Sequence, residues 1–347
     1  MGVKKRFAAT ASAPHVSKKE DIVVKRTVAL ILSLILMLSV LPMASFAATR
    51  YTTTYTMVKP NDLSDTDIAK RGDLGFWGQL SVKRKDVKTI TFLDSTQSAP
   101  KHILDFSDGA DMGVIGWIVG GDVFVAADGK IALNETASYL FAGMKNLTQI
   151  NFNGVVDTSG VKYMDHMFQG CEKLEEIDLS GFNTANVVDM TAMFYGCKRL
   201  YELDLSGFDT SRVKSMKHMF TSCHNLEALD LSAFRTPALT DMKAMFDSCR
   251  MLETVDMRHF NTAKVTDMSN LFGSCASLTE ADLSSFDTAK VQNMNAMFAG
   301  CKSLTLLDLS GFTSKRLLST TKMFMDVGRL ETFICTDEKI VRAYRAS

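Results

Sequence analysis

The 347-residue sequence has none of the short patterns that mark common catalytic sites: no H-E-x-x-H, no G-x-S-x-G, no P-loop and no glycine-rich dinucleotide fingerprint. Its seven cysteines form no C-x-x-C pair, so zinc lacks its usual ligand spacing. Ser, His and Asp are plentiful but recur at a fixed period, as the residues of a scaffold do. No enzymatic activity, cofactor or metal is expected on these grounds. Net charge is missing too: 39 basic residues balance 39 acidic ones. The balance hides a split, because residues 1–47 hold seven Lys/Arg and two Asp/Glu. The remainder carries 32 basic and 37 acidic residues, a net charge of −5, which argues against nucleic acid as a partner. At 46% hydrophobic residues the chain can still bury a core.

A membrane-spanning run of ~20 apolar residues is also absent. The stretch Val28 to Val40 is shorter and is broken by Ser33 and Ser39. Lys25-Arg26 stand before it, and Pro42 and Ala44-Ser45-Phe46-Ala47-Ala48 follow. A basic flank, a short apolar stretch and small residues at −3 and −1 together make a secretory signal. Cleavage is expected between Ala47 and Ala48, leaving a secreted or surface-associated mature chain with no membrane span. The alternative is an uncleaved anchor, and residues 1–26 are a long basic lead for either.

What is abundant is repetition. Phe168, Phe194, Phe220, Phe246, Phe272, Phe298 and Phe324 lie 26 residues apart, as do Cys171, Cys197, Cys223, Cys249, Cys275 and Cys301. The unit reads V-x-x-M-x-x-M-F-x-x-C-x-x-L-x-x-L-D-L-S-x-F-x-T, and a divergent first copy runs from Leu140-Phe141 to Leu147 with Met144 in place of the cysteine. A fixed period of this length marks a solenoid or propeller. Leu200-x-x-Leu203-x-Leu205-x-x-Phe208 has leucine-rich-repeat spacing, and its alternation predicts a strand with one face buried. Val213-x-x-Met216-x-x-Met219-Phe220 puts apolar residues on one face of a short helix. Thr184, Thr210, Thr236, Thr262 and Thr288 stand where they would cap such helices. Pro237 suits a first helical position, and Gly or Ser before each Cys suits a helix end.

The expected fold class is therefore an α/β solenoid, leucine-rich-repeat-like. Short parallel strands would line one face and short helices the other, with rungs ~4.8 Å apart and a β-rich N-terminal cap. The reading divides the chain into a signal (1–47), an extended leader (48–71), the cap (72–139), the solenoid (140–329) and a last strand with a C-terminal cover (330–347). Thr89–Leu93 and Asp122–Val125 are predicted strands of the cap, with turns at Gly120-Gly121 and Asp128-Gly129.

The unit "LDLSGFDTSRVKSMKHMFTSCHNL" resembles the BspA-like leucine-rich-repeat surface proteins, in particular their mycoplasma-type branch of unknown function. The segment from Val114 to Phe152 is similar to the lead-in that family places before its first repeat. The likeness covers about residues 85–335. It implies a surface-exposed or secreted bacterial protein, adhesion among the activities of some members, and no catalytic residues. The chain departs from many members in showing no L-P-x-T-G-like sorting signal before Ser347.

Three sets of residues are candidates for function. Asp178, Asp204, Asp230, Asp256, Asp282 and Asp308 alternate with buried leucines and so face solvent, flanked by Glu176, Glu202 and Glu280. Like charges ~5 Å apart repel. The ladder is expected to be relieved by neighbouring serines, by a cation or by a basic partner. Serine pairing is the plainer reading, and calcium lacks a loop motif. Arg258 replaces a serine within the ladder and is placed to neutralise Asp256 and an adjacent Asp230 or Asp282. On the opposite side Lys162, Lys198, Arg199, Arg212, Lys214, Lys217, Lys243, Lys264 and Lys290 predict a basic face. His166 and His218 share one repeat position but lie two rungs apart, too far for one metal. The repeated cysteines are expected to be free and buried, because positions on stacked helices sit ~8–10 Å apart, beyond disulfide reach; a position closer to the sheet would bring neighbours to ~5 Å and leave pairing open. The resulting expectation is a monomeric interaction module, or adhesin, binding a basic protein or a glycan on a host or bacterial surface through its sheet face. A structural spacer without a ligand is the alternative, and an enzyme or enzyme inhibitor the third.

Overall fold

In a computed structural model the chain divides into two units, Met1–Arg50 and Tyr51–Ser347. The structure describes residues 54–57, 75–76, 79–107 and 113–347, all in the second unit. The signal segment and the Ala47–Ala48 cleavage site lie outside the described residues, as does most of the leader.

The cap holds β1 (Thr54–Thr56), β2 (Gly75–Phe76), β3 (Gln79–Lys83), β4 (Thr89–Leu93), β5 (Leu104–Asp105), β6 (Ile115–Val119), β7 (Asp122–Ala126) and β8 (Lys130–Ala132). β4 and β7 fall where alternation predicts strands, and the φ values of +60° and +105° at Gly120 and Gly121 make the turn between β6 and β7. Two further strands, β9 (Gln149–Asn151) and β10 (Val156–Asp157), belong to the first repeat. β9 pairs parallel with β4 and completes a five-stranded sheet of order β5-β6-β7-β4-β9. The cap is thus the first rung of the stack it closes. Arg84, fully buried, closes the same end: its guanidinium donates to the carbonyls of Tyr139, Leu140 and Ala142 at 3.0–3.1 Å.

From there each 26-residue repeat is one turn of chain lying on the last. Bridges run in parallel register from Thr136 through Tyr163, Asp189, Ser215, Asp241, Asp267 and Asn293 to Ser319. On the leucine side the strand predicted over Leu200–Phe208 does not form, nor does its counterpart one turn earlier; the later turns form β11 (Ala228–Leu229), β12 (Thr254–Val255), β13 (Glu280–Asp282), β14 (Leu306–Asp308) and β15 (Thr332–Ile334), paired in parallel as β11-β12 and β13-β14-β15. Eight phenylalanines from Phe141 to Phe324 stack through the centre, neighbouring ring centroids 5.3–5.9 Å apart and planes within 12°. The Met, Leu, Val and Cys rows pack around this column in one continuous core. Alternating outward residues leave the leucine strands with one wet face, as their period requires.

The expected helices are not there. Segments such as Val213–Leu226 are chains of turns and not helices. Val213, Met219, Thr221, Cys223 and Leu226 donate to the carbonyls three residues back. Between them Met216, His218, Phe220 and Ser222 donate to Asp241, Lys243, Met245 and Asp247 of the next turn at 2.8–3.0 Å. A left-handed residue at one repeat position breaks any helix: His166, Ala192, His218, Ala244, Asn270, Ala296 and Lys322 have φ of 52–58°. Such a backbone costs an L-residue ~1–2 kcal/mol, which the cross-rung hydrogen bonds offset. Among the described residues the one α-helix is α1 (Glu338–Arg345). Asp337 caps it by accepting from the amides of Lys339 and Ile340; Tyr344 packs on Phe324 and Phe333 of the last rung, and Ile340 is buried in the core.

Without helices to cap, the repeated threonines do something else. Each is buried and bridges to the next rung. The Thr210 hydroxyl donates to the Arg235 carbonyl at 2.9 Å and accepts from the Arg235 amide at 2.9 Å. Thr158, Thr184, Thr236, Thr262 and Thr288 repeat one or both halves of this pair. The row is a hydroxyl ladder along the stack, tying turns that share few strand hydrogen bonds on this side.

Candidate ligand-binding face

The outward row lies where alternation put it. Asp178, Asp204, Asp230 and Asp282 are exposed, Asp256 and Asp308 half-buried, and Glu176, Glu202 and Glu280 exposed beside them. Every aspartate of the ladder is held by its own rung. Oδ1 accepts the amide two residues on, from Ser180, Ser206, Ser232, Arg258, Ser284 and Ser310, at 2.8–3.1 Å. This Asx-type turn closes the leucine segment of each rung and fixes the carboxylate direction. The same bonds favour the ionised carboxylates and lower their pKa values. The Ser180 hydroxyl and amide hold Asp178 below the usual carboxylate range, against a raising push from Asp204. The Ser206 amide does so for Asp204 and the Ser232 amide for Asp230. Arg258 folds back on its own rung, giving Nε and Nη2 to the two oxygens of Asp256 at 3.0 and 2.7 Å, and holds that carboxyl at about 2. It bonds neither Asp230 nor Asp282, so the expected neutralisation is confined to Asp256 among the hydrogen-bonded pairs.

The face is not uniform along its length. At its N-terminal end an open depression of ≈ 330 Å³ is lined by Gln149, Asn151, Glu176, Asp178, Glu202 and Asp204 with the backs of Ile150 and Ile177. Tyr201 reaches over from the next rung and donates to Glu176 at 3.3 Å. Gln149, Asn151 and Tyr201 were not among the expected site residues. The x-apolar-x pattern of Gln149-Ile150-Asn151 matches Glu176-Ile177-Asp178 in the next turn, and that match is the signal that finds them.

The opposite side is less one-signed than its lysines suggest. Lys162 pairs with Glu135 at 3.1 Å, Lys198 with Glu172 at 2.9 Å and Arg199 with Glu175 at 3.6 Å, each across rungs. Asp189, Asp241 and Asp267 stand in the bridge column among the basic residues. His166 is held by Asp165 at 3.1 Å and stacks on Tyr139, while burial lowers the basicity of His218. No group of three or more His, Cys, Asp or Glu among the described residues is arranged to hold a metal. No helix among them is long and apolar enough to cross a membrane.

All seven cysteines are free, six of them buried. Helix spacing is not the reason, since the segments that carry them are turns. Each repeated thiol instead donates to a phenylalanine carbonyl of the preceding rung at 3.0–3.3 Å, as Cys223 does to Phe194. Burial raises the thiol of Cys197 to about 12.

The repeats match the family described as "Mycoplasma protein of unknown function, DUF285" over residues 135–254 and 222–335, more than half of the chain. The chain belongs to this family. The DUF285 match covers the turns from the first bridge at Thr136 to the last strand, β15. Among solved structures the chain is similar to the T. pallidum leucine-rich repeat protein TpLRR, at 17% identity over 56% of this chain and 89% of that one, with a TM-score of 0.33. No curated protein matches.

Proposed function

We propose that the chain is an exported binding module of BspA-like type: a leucine-rich-repeat-like solenoid, monomeric and surface-associated. Its outward strand column takes a cationic protein or a glycan displayed on a host or bacterial surface. The observation that carries the reading is the depression at one end of the column, where four carboxylates and two side-chain amides converge on open space. Asx turns hold Asp178 and Asp204 in place before any ligand arrives, so little ordering is left to binding. The residue two places before each ladder aspartate also varies, from Glu176 and Glu202 to Ala228, Thr254 and Leu306, as in a face that discriminates. Export rests on the basic flank, apolar stretch and Ala47–Ala48 site of the sequence.

The test is a binding array of the mature chain against matrix proteins and surface glycans, run beside an E176Q/D178N/E202Q/D204N variant. Asn keeps the Oδ1 acceptor of the Asx turn, so the variant retains the fold while losing charge. Binding that the variant lacks supports the reading. Hits of equal strength on both proteins remove it. A structural spacer is the second reading, favoured because every ladder aspartate is already satisfied within its rung.

A further inference from the structure

The two ends of the stack are finished differently. At the N-terminal end Arg84 occupies carbonyls of the first turn. At the C-terminal end α1 covers the rings of Phe324 and Phe333, but the turn-side ladder simply stops. In the rung before, Met294, Ala296, Phe298 and Gly300 donate to Ser319, Thr321, Met323 and Met325 at 3.1, 2.9, 2.9 and 2.8 Å. The corresponding amides of the last rung, Thr320, Lys322, Phe324 and Asp326, have no acceptor among the described residues. Because the carbonyls between them already serve the preceding rung, this edge presents mainly donors.

Two apolar side chains on the edge are uncovered as well. Met325 is 41% exposed, whereas Ala299 at the same position one rung earlier is 8% exposed, and Leu318 is 79% exposed. Lys315, Arg316, Lys322 and Arg329 surround them against one acid, Asp326, a net charge of +3 over residues 315–329. A second copy of the chain fits poorly. Its carbonyl end is taken by Arg84, and a two-fold pairing of C-terminal edges would set donor against donor. A chain that takes up the same turns, with free carbonyls at alternate residues and carboxylates on its side chains, fits both the donors and the charge.

We propose that the edge formed by residues 318–326 is an edge-addition site for an acidic peptide segment of a partner protein, which continues the stack by taking up the same chain of turns. The segment lies along the last rung, its alternate carbonyls accepting from Thr320, Lys322, Phe324 and Asp326 as Ser319 to Met325 do for the rung before. Its apolar side chains cover Leu318 and Met325. This site is separate from the acidic face at the other end of the strand column.

The mature chain is titrated with a labelled octapeptide of alternating Glu and Val, with a Lys–Val octapeptide as control, and amide exchange is read residue by residue. The Glu–Val peptide is expected to bind saturably and to slow exchange at the four amides at least tenfold. An R316E/K322E variant of unchanged melting temperature should bind it at least tenfold more weakly, while E176Q/D178N/E202Q/D204N should bind it normally. Unchanged exchange at the four amides in the wild-type chain overturns the proposal, as does equal binding of the Lys–Val peptide. Slowing that grows with chain concentration alone would assign the edge to a second copy and overturn it too.

Discussion

Replacing Thr210 by valine separates a hydroxyl ladder from an ordinary apolar row. Thr210 is 1% exposed, and valine fills nearly the same volume. The change deletes both bonds to Arg235, each 2.9 Å long, and leaves an amide and a carbonyl of the next rung facing a methyl group. An unsatisfied buried polar group costs ~1–3 kcal/mol, so two cost ~2–6. The added methyl returns ~0.8 kcal/mol of burial, and partial access of Arg235 to water trims the rest, so the net loss is about 2–3 kcal/mol. Thr210→Ser keeps both bonds and removes one methyl, costing about 1 kcal/mol. Valine should therefore be the worse substitution, the reverse of what a purely apolar site would give. Urea unfolding followed by circular dichroism measures the pair, and amide exchange shows whether the loss is local to the two rungs that Thr210 joins. A valine variant as stable as wild type, beside a less stable serine variant, would refute the ladder.

Other outcomes follow from the same geometry. Phe220→Ala opens the centre of a ring stack that continues on both sides and should cost ~3–5 kcal/mol in the same unfolding assay. The six repeated cysteines should alkylate slowly in the native chain, because burial hides them and keeps thiolate scarce, with Cys197 and Cys301 at about 12. They should label fully after denaturation without reductant, and three or more disulfides found by mass spectrometry would contradict this. N-terminal sequencing of secreted protein should begin at Ala48 or within a few residues of it, and a start upstream of Val28 would sink the export reading.

Much of the stack could be read from the chain, and the part that could not has a physical explanation. In β14 and just after it Leu307 and Leu309 are buried on either side of Asp308, as period two predicts, whereas Leu203-Asp204-Leu205 keeps the same in-and-out alternation without forming a strand. The Met216-x-x-Met219-Phe220 spacing is ambiguous, because chains of turns closed by bonds three residues back bury the same positions as a helix. Glycine would have betrayed the left-handed position inside it, but His218, Ala192 and Ala244 stand there instead. The second such position is partly legible, as Gly170, Gly196 and Gly300 before the cysteines. Misreading the turns also misassigned Thr210 as a cap. The acidic row was placed correctly by alternation alone. Its Asx turns follow from Asp-x-Ser, whereas the depression depends on how β9 joins the cap, a pairing of residues 60 apart that local pattern does not encode.

The most direct test of the central claim, that the carboxylate column is the binding surface, is affinity as a function of salt. A partner found for the mature chain is titrated at ionic strengths spanning a Debye length from ~30 to ~3 Å, against wild type and the E176Q/D178N/E202Q/D204N variant. The account predicts that wild-type affinity falls steadily as salt rises, and that the variant binds weakly with a flattened salt dependence. Equal affinity and an equal salt slope for the two proteins would contradict it.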